Sequence, residues 1–182
     1  MQDKIQIHDL LFEKMIDSTD IDVAVAKVAE QVNSDYAQTE QPPIMMSILN
    51  GSFMFMSDLC KKLTFCPEIS FVKLSSYVDT ATSGVIKNLI GINKELEGRD
   101  ILIVEDIVDS GNTIVHIDAL LKSMNPRSVR YCTLFLKPEC YKKHVPIDYV
   151  AMEIGSEFIV GYGLDYNELG RNLRDIYVTH NE

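Results

Sequence analysis

Twice along this 182-residue chain a short uncharged apolar run passes through a turn of small or acidic residues into apolar residues at helical spacing. Ile44–Leu49 runs through Asn50-Gly51-Ser52 into Phe53, Met56, Leu59, Cys60 and Leu63, and Ile101–Val104 leads through an acidic stretch into Ile114, Ile117, Leu120, Leu121 and Met124. An uninterrupted apolar run is what a parallel strand covered on both faces requires, and the helix after it supplies the crossover. Further strands are predicted at Ile69–Leu74, Val85–Ile90, Val129–Leu136 and Tyr149–Ile154, and a helix from an Asp20 cap through Ile21, Val25, Val28, Ala29 and Val32 to about Tyr36. The expected fold is therefore α/β, a mostly parallel twisted sheet flanked by helices. Ligands of such sheets bind beyond the carboxyl ends of the strands, which directs attention to the loops after Leu49, Leu74, Val104 and Leu136.

Charge narrows the partners. With 17 Lys and Arg against 27 Asp and Glu the formal net charge is −10, which argues against nucleic acid or an anionic membrane as partner. No uncharged apolar run approaches the ~20 residues of a membrane span, and the N-terminal residues carry charges instead of a signal-peptide apolar segment. Cys60, Cys66, Cys132 and Cys140 form no C-x-x-C pair and read as reduced thiols, so a cytoplasmic location is expected.

The segment Ile101 to Thr113, ILIVEDIVDSGNT, carries the chemistry. Ser110, Gly111, Asn112 and Thr113 fall where a helix begins, so unpaired backbone N–H groups and the positive end of the helix dipole form a place for a phosphate, and Gly111 permits close approach. Glu105 and Asp106, expected just past the strand end, are hard oxygen donors for Mg²⁺ or sugar hydroxyls, with Asp109 between them and the turn. A helix cap at Asp109 or Ser110 is the plainer explanation of D-S-G-N alone, but three carboxylates without a Lys or Arg between Glu105 and Thr113 call for a cation or a polar ligand. A Walker-type loop is excluded because no Gly-Lys pair occurs.

VEDIVDSGNT behind an apolar strand closely resembles the phosphoribosyl-pyrophosphate signature of type I phosphoribosyltransferases, and the chain from about Ile44 onward resembles the bacterial hypoxanthine phosphoribosyltransferases. The resemblance implies one domain over residues 1–182, with a core at about 37–136 and a small hood over the carboxyl edge built from the N- and C-terminal segments. It implies that Glu105 and Asp106 meet the ribose hydroxyls, directly or through Mg²⁺, that Asp109, Ser110, Gly111, Asn112 and Thr113 hold the 5′-phosphate, and that Asp109 is the acid/base residue near purine N7. Pyrophosphate falls to Asn50, Gly51, Ser76, Tyr77 and Arg171, with a cis Leu49–Asn50 peptide frequent in the family. Many relatives carry Lys or Arg where this chain has Asn50, so its backbone is the expected contact. Ser76 and Tyr77 would belong to a loop that closes over the reacting ribose, although Ser75 to Gly84 alone reads as a surface hairpin.

Lys137 follows an apolar strand and precedes Pro138; an ordinary surface lysine is the alternative to the implied role of donating to the purine O6. Phe158, within a tetrad that alone reads as core strand, would stack on the purine while the Ile159 backbone reads its edge. Asp165, in GYGLDYNE, would bind the second Mg²⁺ near the purine 2-position, making Glu105, Asp106 and Asp165 the expected metal ligands. The implied substrates are phosphoribosyl pyrophosphate and a 6-oxopurine, hypoxanthine and guanine, and the implied assembly is a homodimer or homotetramer. Two other readings remain at this point: a non-catalytic regulator on the same fold, and the same transfer to another base such as xanthine.

Overall fold

The computed structural model describes residues 3–75, 87–90, 92 and 95–180. Chain order is β1 (Lys4–Ile7), β2 (Leu10–Ile16), α1 (Ser18–Tyr36), β3 (Ile44–Leu49), α2 (Phe53–Lys61), β4 (Glu68–Ser75), β5 (Lys87–Ile90), β6 (Asp100–Val108), α3 (Asn112–Lys122), β7 (Ser128–Leu136), β8 (Tyr149–Glu153), β9 (Ile159–Val160) and β10 (Ile176–Thr179). Ser76, Tyr77 and Gly84, and the start of the strand expected at Val85, lie outside the described residues.

The larger sheet has the order β5-β4-β3-β6-β7-β8, parallel throughout except for β5, which runs antiparallel to β4 at the edge. Strand alternation sends Met45, Leu102 and Val104 into one core with α1 and α2, while Ile44, Met46, Ile101 and Ile103 enter a second core with Ile114, Ile117 and Leu121 of α3. Both faces are covered, which is why Ile44–Leu49 of β3 and Ile101–Val104 of β6 read as uncharged, largely apolar runs. From β3 the chain winds one way to β4 and then returns to place β6 on β3's other side. The switch point between β3 and β6 opens a crevice at their carboxyl ends.

Two expected boundaries differ. The run at Ile101–Val104 does not end the strand: Glu105 pairs with Thr133, Ile107 with Phe135 and Val108 with Leu136, because β7 stays apolar to its last residue and continues the ladder. Glu105 and Asp106 therefore belong to β6 rather than lying beyond it. Helix α1 begins at Ser18 with Asp17 as N-cap residue, earlier than the cap expected at Asp20. Asp17 gives no side-chain cap; its carboxylate takes the Lys14 ammonium at 2.7 Å, while the Ser18 amide donates to Asp175 Oδ1 at 2.8 Å. A carboxylate 157 residues away does the capping, which no local pattern could show.

The second sheet, β1-β2-β10-β9, is antiparallel and joins the chain's two ends. Its own small core is Ile7, Phe12, Val160 and Tyr177. None of the described helices is long and apolar enough to cross a membrane.

Candidate active site

The crevice between β3 and β6 contains a cavity of about 300 Å³ lined by Ile48, Leu49, Asn50, Gly51, Leu74, Glu105, Asp106, Thr113, Asp165 and Arg171. Residues from four separate stretches of the sequence thus meet at the switch point. Three of them, Ile48, Leu49 and Leu74, were missed as cavity walls because apolar strand ends look like core.

The turn after β6 is built for an anion. Gly111 is the N-cap residue of α3 with φ +76°, and no side chain caps the helix, so Asp109 and Ser110 are not the caps that a lone D-S-G-N would suggest. The first-turn amides of α3 are left for a ligand. Ser110, Asn112 and Thr113 are exposed around them. On the β3 side the Leu49–Asn50 peptide is cis. Ser52 turns its hydroxyl back to the Ile48 carbonyl and to Ser47 Oγ (2.6 Å), so α2 also starts without a side-chain cap. A Cβ on Gly51 would lie 1.6 Å from Asp106 Oδ2, so only glycine lets this loop close against the acid. Gly163 then packs on the same loop: a Cβ there would sit 2.0 Å from the Gly51 carbonyl oxygen, a contact sequence spacing does not reveal.

Glu105 and Asp106 are 8% and 9% exposed, and Glu105 Oε2 has no hydrogen-bond partner among the described residues. Burial, reinforced by the Asp106 charge, pushes the Glu105 carboxyl well above its ordinary range. A buried carboxylate oxygen left unpaired beside a second carboxylate suits a hard cation, so the pair fits Mg²⁺ by donor chemistry. Asp165, the third expected ligand, lines the same cavity; its Oδ1 takes Arg171 Nη2 at 2.7 Å and its Oδ2 accepts the Glu168 amide at 2.8 Å. No three His, Cys, Asp or Glu side chains converge as a metal cluster among the described residues. Arg171 also donates to the Gly163 carbonyl at 2.9 Å, which fixes its guanidinium beside the cavity.

At the end of β7, Lys137 is 6% exposed, and its amide donates to the Val108 carbonyl at 2.9 Å. Its ammonium meets Asp109 Oδ2 at 3.0 Å and the Ser156 carbonyl at 3.4 Å. The surface-lysine alternative is thereby set aside. Asp109 keeps half of its side chain exposed, so one face of the pair is open to a ligand. The tetrad at 158–161 divides: Ile159 and Val160 are buried in β9, whereas Phe158 is 46% exposed and touches Phe12 (ring centroids 6.3 Å) and the edge of Tyr166 (5.8 Å). An exposed aromatic face backed by two rings is a platform for a flat ligand.

This combination of fold and site defines a class of transferase that binds a phosphorylated sugar, and residues 16–167 match the family model of the phosphoribosyl transferase domain. The chain belongs to the phosphoribosyl transferase family. Within that family it is 40% identical over 164 residues to a hypoxanthine-guanine phosphoribosyltransferase of Mycobacterium tuberculosis, covering 87% of this chain and 81% of the relative. It is 36% identical over 162 residues to the hypoxanthine phosphoribosyltransferase of Escherichia coli K12, covering 88% of this chain and 91% of the relative. Among solved structures, a hypoxanthine phosphoribosyltransferase of Staphylococcus aureus superposes with TM-score 0.85 at 37% identity, over 92% of this chain and 91% of that one.

Proposed function

We propose that the protein transfers the 5-phosphoribosyl group from phosphoribosyl pyrophosphate to N9 of hypoxanthine, and of guanine, releasing the nucleoside monophosphate and pyrophosphate. The observation that carries the choice of base is the Lys137–Asp109 pair at 3.0 Å beside the exposed face of Phe158. An ammonium has three donors; Asp109 and Ser156 use two, which leaves one for a carbonyl at the purine 6-position. Adenine presents an amino group there, donor against donor.

In this reading the 5′-phosphate rests on the amides of the 109–113 turn, the ribose hydroxyls meet Glu105 and Asp106, and pyrophosphate lies against the Asn50-Gly51 backbone and Arg171. The purine packs on Phe158 with its edge toward the Ile159 backbone. The N9 lone pair forms the new bond to C1′ as the C1′–oxygen bond to pyrophosphate breaks, the electron pair leaving with pyrophosphate. Asp109 takes the proton that the base gives up at N7, and the neighbouring Lys137 charge holds the carboxylate in place. Glu105 and Asp106 would hold Mg²⁺ with the substrate, and the ion would supply charge neutralisation for the leaving group. Asp165 acts through Arg171, orienting the guanidinium toward pyrophosphate. Ser76 and Tyr77 complete the reading as residues of a loop that keeps water from the cation-like sugar carbon. Four free cysteines accord with a reducing, cytoplasmic setting.

A competition assay across four bases tests the specificity. Hypoxanthine, guanine and xanthine should be used or should inhibit, while adenine should act at least about a hundredfold more weakly, because its amino group cannot accept from Lys137. Adenine serving as well as hypoxanthine would overturn the role given to Lys137.

A further inference from the structure

We propose that Lys143 is an additional binding residue for the sugar 5′-phosphate, held over the phosphate turn by Tyr141; this rests on the reading of the 109–113 turn given above. The starting observation is at Gly111. A Cβ there would lie 2.3 Å from Tyr141 Cε2 and 3.0 Å from Lys143 Cγ, so the aromatic ring and the lysine stem both lie against the backbone that starts α3.

The segment carrying these side chains is pinned at both ends. The amides of Cys140 and Tyr141 each donate to the Lys137 carbonyl at 3.0 Å, and Val145 is buried in the core that α3 shares. Between them the Tyr141 hydroxyl donates to the Val145 carbonyl, clasping residues 142–144 into a small loop. Within that loop Lys142 gives its ammonium to the Pro138 carbonyl at 3.2 Å. Lys143 has no hydrogen-bond or ion-pair partner among the described residues, and it is exposed. Past Cγ its stem has two more methylenes, enough to carry the ammonium to a group seated on the amides of Ser110 to Thr113.

Charge makes such a group useful there. Glu105, Asp106 and Asp109 surround the turn, Lys137 is matched by Asp109, and Arg171 is matched by Asp165 and Glu168. A phosphomonoester dianion bound by neutral amides alone would sit among carboxylates, and at these distances a single ammonium matters. Lys143, whose stem lies against Gly111, has no carboxylate partner among the described residues.

The test is ligand-observed NMR titration of the full chain and its Lys143→Gln and Lys143→Arg variants, with ribose 5-phosphate as one probe and inorganic pyrophosphate with Mg²⁺ as the other. Lys143→Gln should bind ribose 5-phosphate about five- to tenfold more weakly, Lys143→Arg should stay within about twofold of the parent, and pyrophosphate affinity should be unchanged in both. Unchanged ribose 5-phosphate affinity in Lys143→Gln would overturn the role of Lys143 while leaving the turn's role intact. An equal loss for pyrophosphate would overturn it as well, by showing a general effect of charge. A parent protein that fails to bind ribose 5-phosphate would overturn both readings.

Discussion

Asp109→Asn should lose turnover by about a hundredfold or more while its apparent affinity for phosphoribosyl pyrophosphate changes by no more than a few fold. The side chain projects at the end of β6 with half its surface open, so the amide fits the same space. What disappears is the basicity that, in the proposed reaction, accepts the purine proton, worth about 10² to 10⁴ in rate for a positioned general base. The phosphate turn does not depend on that carboxylate, because the helix cap is Gly111 and no side chain contributes to it. Steady-state kinetics with varied phosphoribosyl pyrophosphate separate the two effects. Near-normal turnover would remove Asp109 from the chemistry, and a parallel collapse of substrate affinity would recast it as a binding residue.

Gly51→Ala should raise the KM for phosphoribosyl pyrophosphate by at least about tenfold and lower kcat with it. The new Cβ would enter at 1.6 Å from Asp106 Oδ2 and 2.5 Å from its Cγ. Asp106 is 9% exposed and lines the cavity, so it can yield only by leaving its place in the crevice. The loop cannot retreat freely either, since the Gly51 carbonyl is packed against Gly163. Gly98→Ala is the matched control: Gly98 has φ +68° with nothing within 4 Å of its Cβ position. That substitution should cost about 1 kcal/mol of stability through backbone strain and leave both kinetic constants alone. Thermal melts and kinetics on the two variants distinguish a damaged site from a merely destabilised chain. Equal KM values in Gly51→Ala and the parent would contradict the placement of pyrophosphate on this loop.

The alternation of apolar runs and helical spacing was sufficient to read the parallel sheet and its three helices, because β3, β6 and β7 are covered on both faces and α2 and α3 follow β3 and β6 after short turns. The glycine turn and its neighbouring acids were legible for the same local reason. What could not be read depends on distance along the chain. Strands β1 and β10 have only four residues each, and β10 finds its partner β2 only when the two ends of the chain meet, as in Val178 opposite Glu13. The alternation in Lys4–Ile7 and the polar pair His8-Asp9 before Leu10 were the available signal for the first hairpin.

The same limit applied within the site. Lys137 and Asp109 could each be singled out, yet their ion pair across 28 residues exists only because β6 and β7 are parallel neighbours ending together. Asp165 and Arg171 also appeared as independent candidates, whereas the structure joins them in an ion pair at 2.7 Å. Phe158 shows the converse error of pattern reading: an apolar tetrad suggests core, but the first residue lies outside the strand and keeps its ring exposed.

Incubating the purified protein with hypoxanthine, phosphoribosyl pyrophosphate and Mg²⁺, and quantifying products by mass spectrometry, tests phosphoribosyl transfer most directly. The account predicts inosine 5′-monophosphate and pyrophosphate formed one for one, with the ribosyl bond at N9, and no product when Mg²⁺ is chelated. Binding of phosphoribosyl pyrophosphate without any nucleotide product would contradict it and favour a regulator built on the same fold.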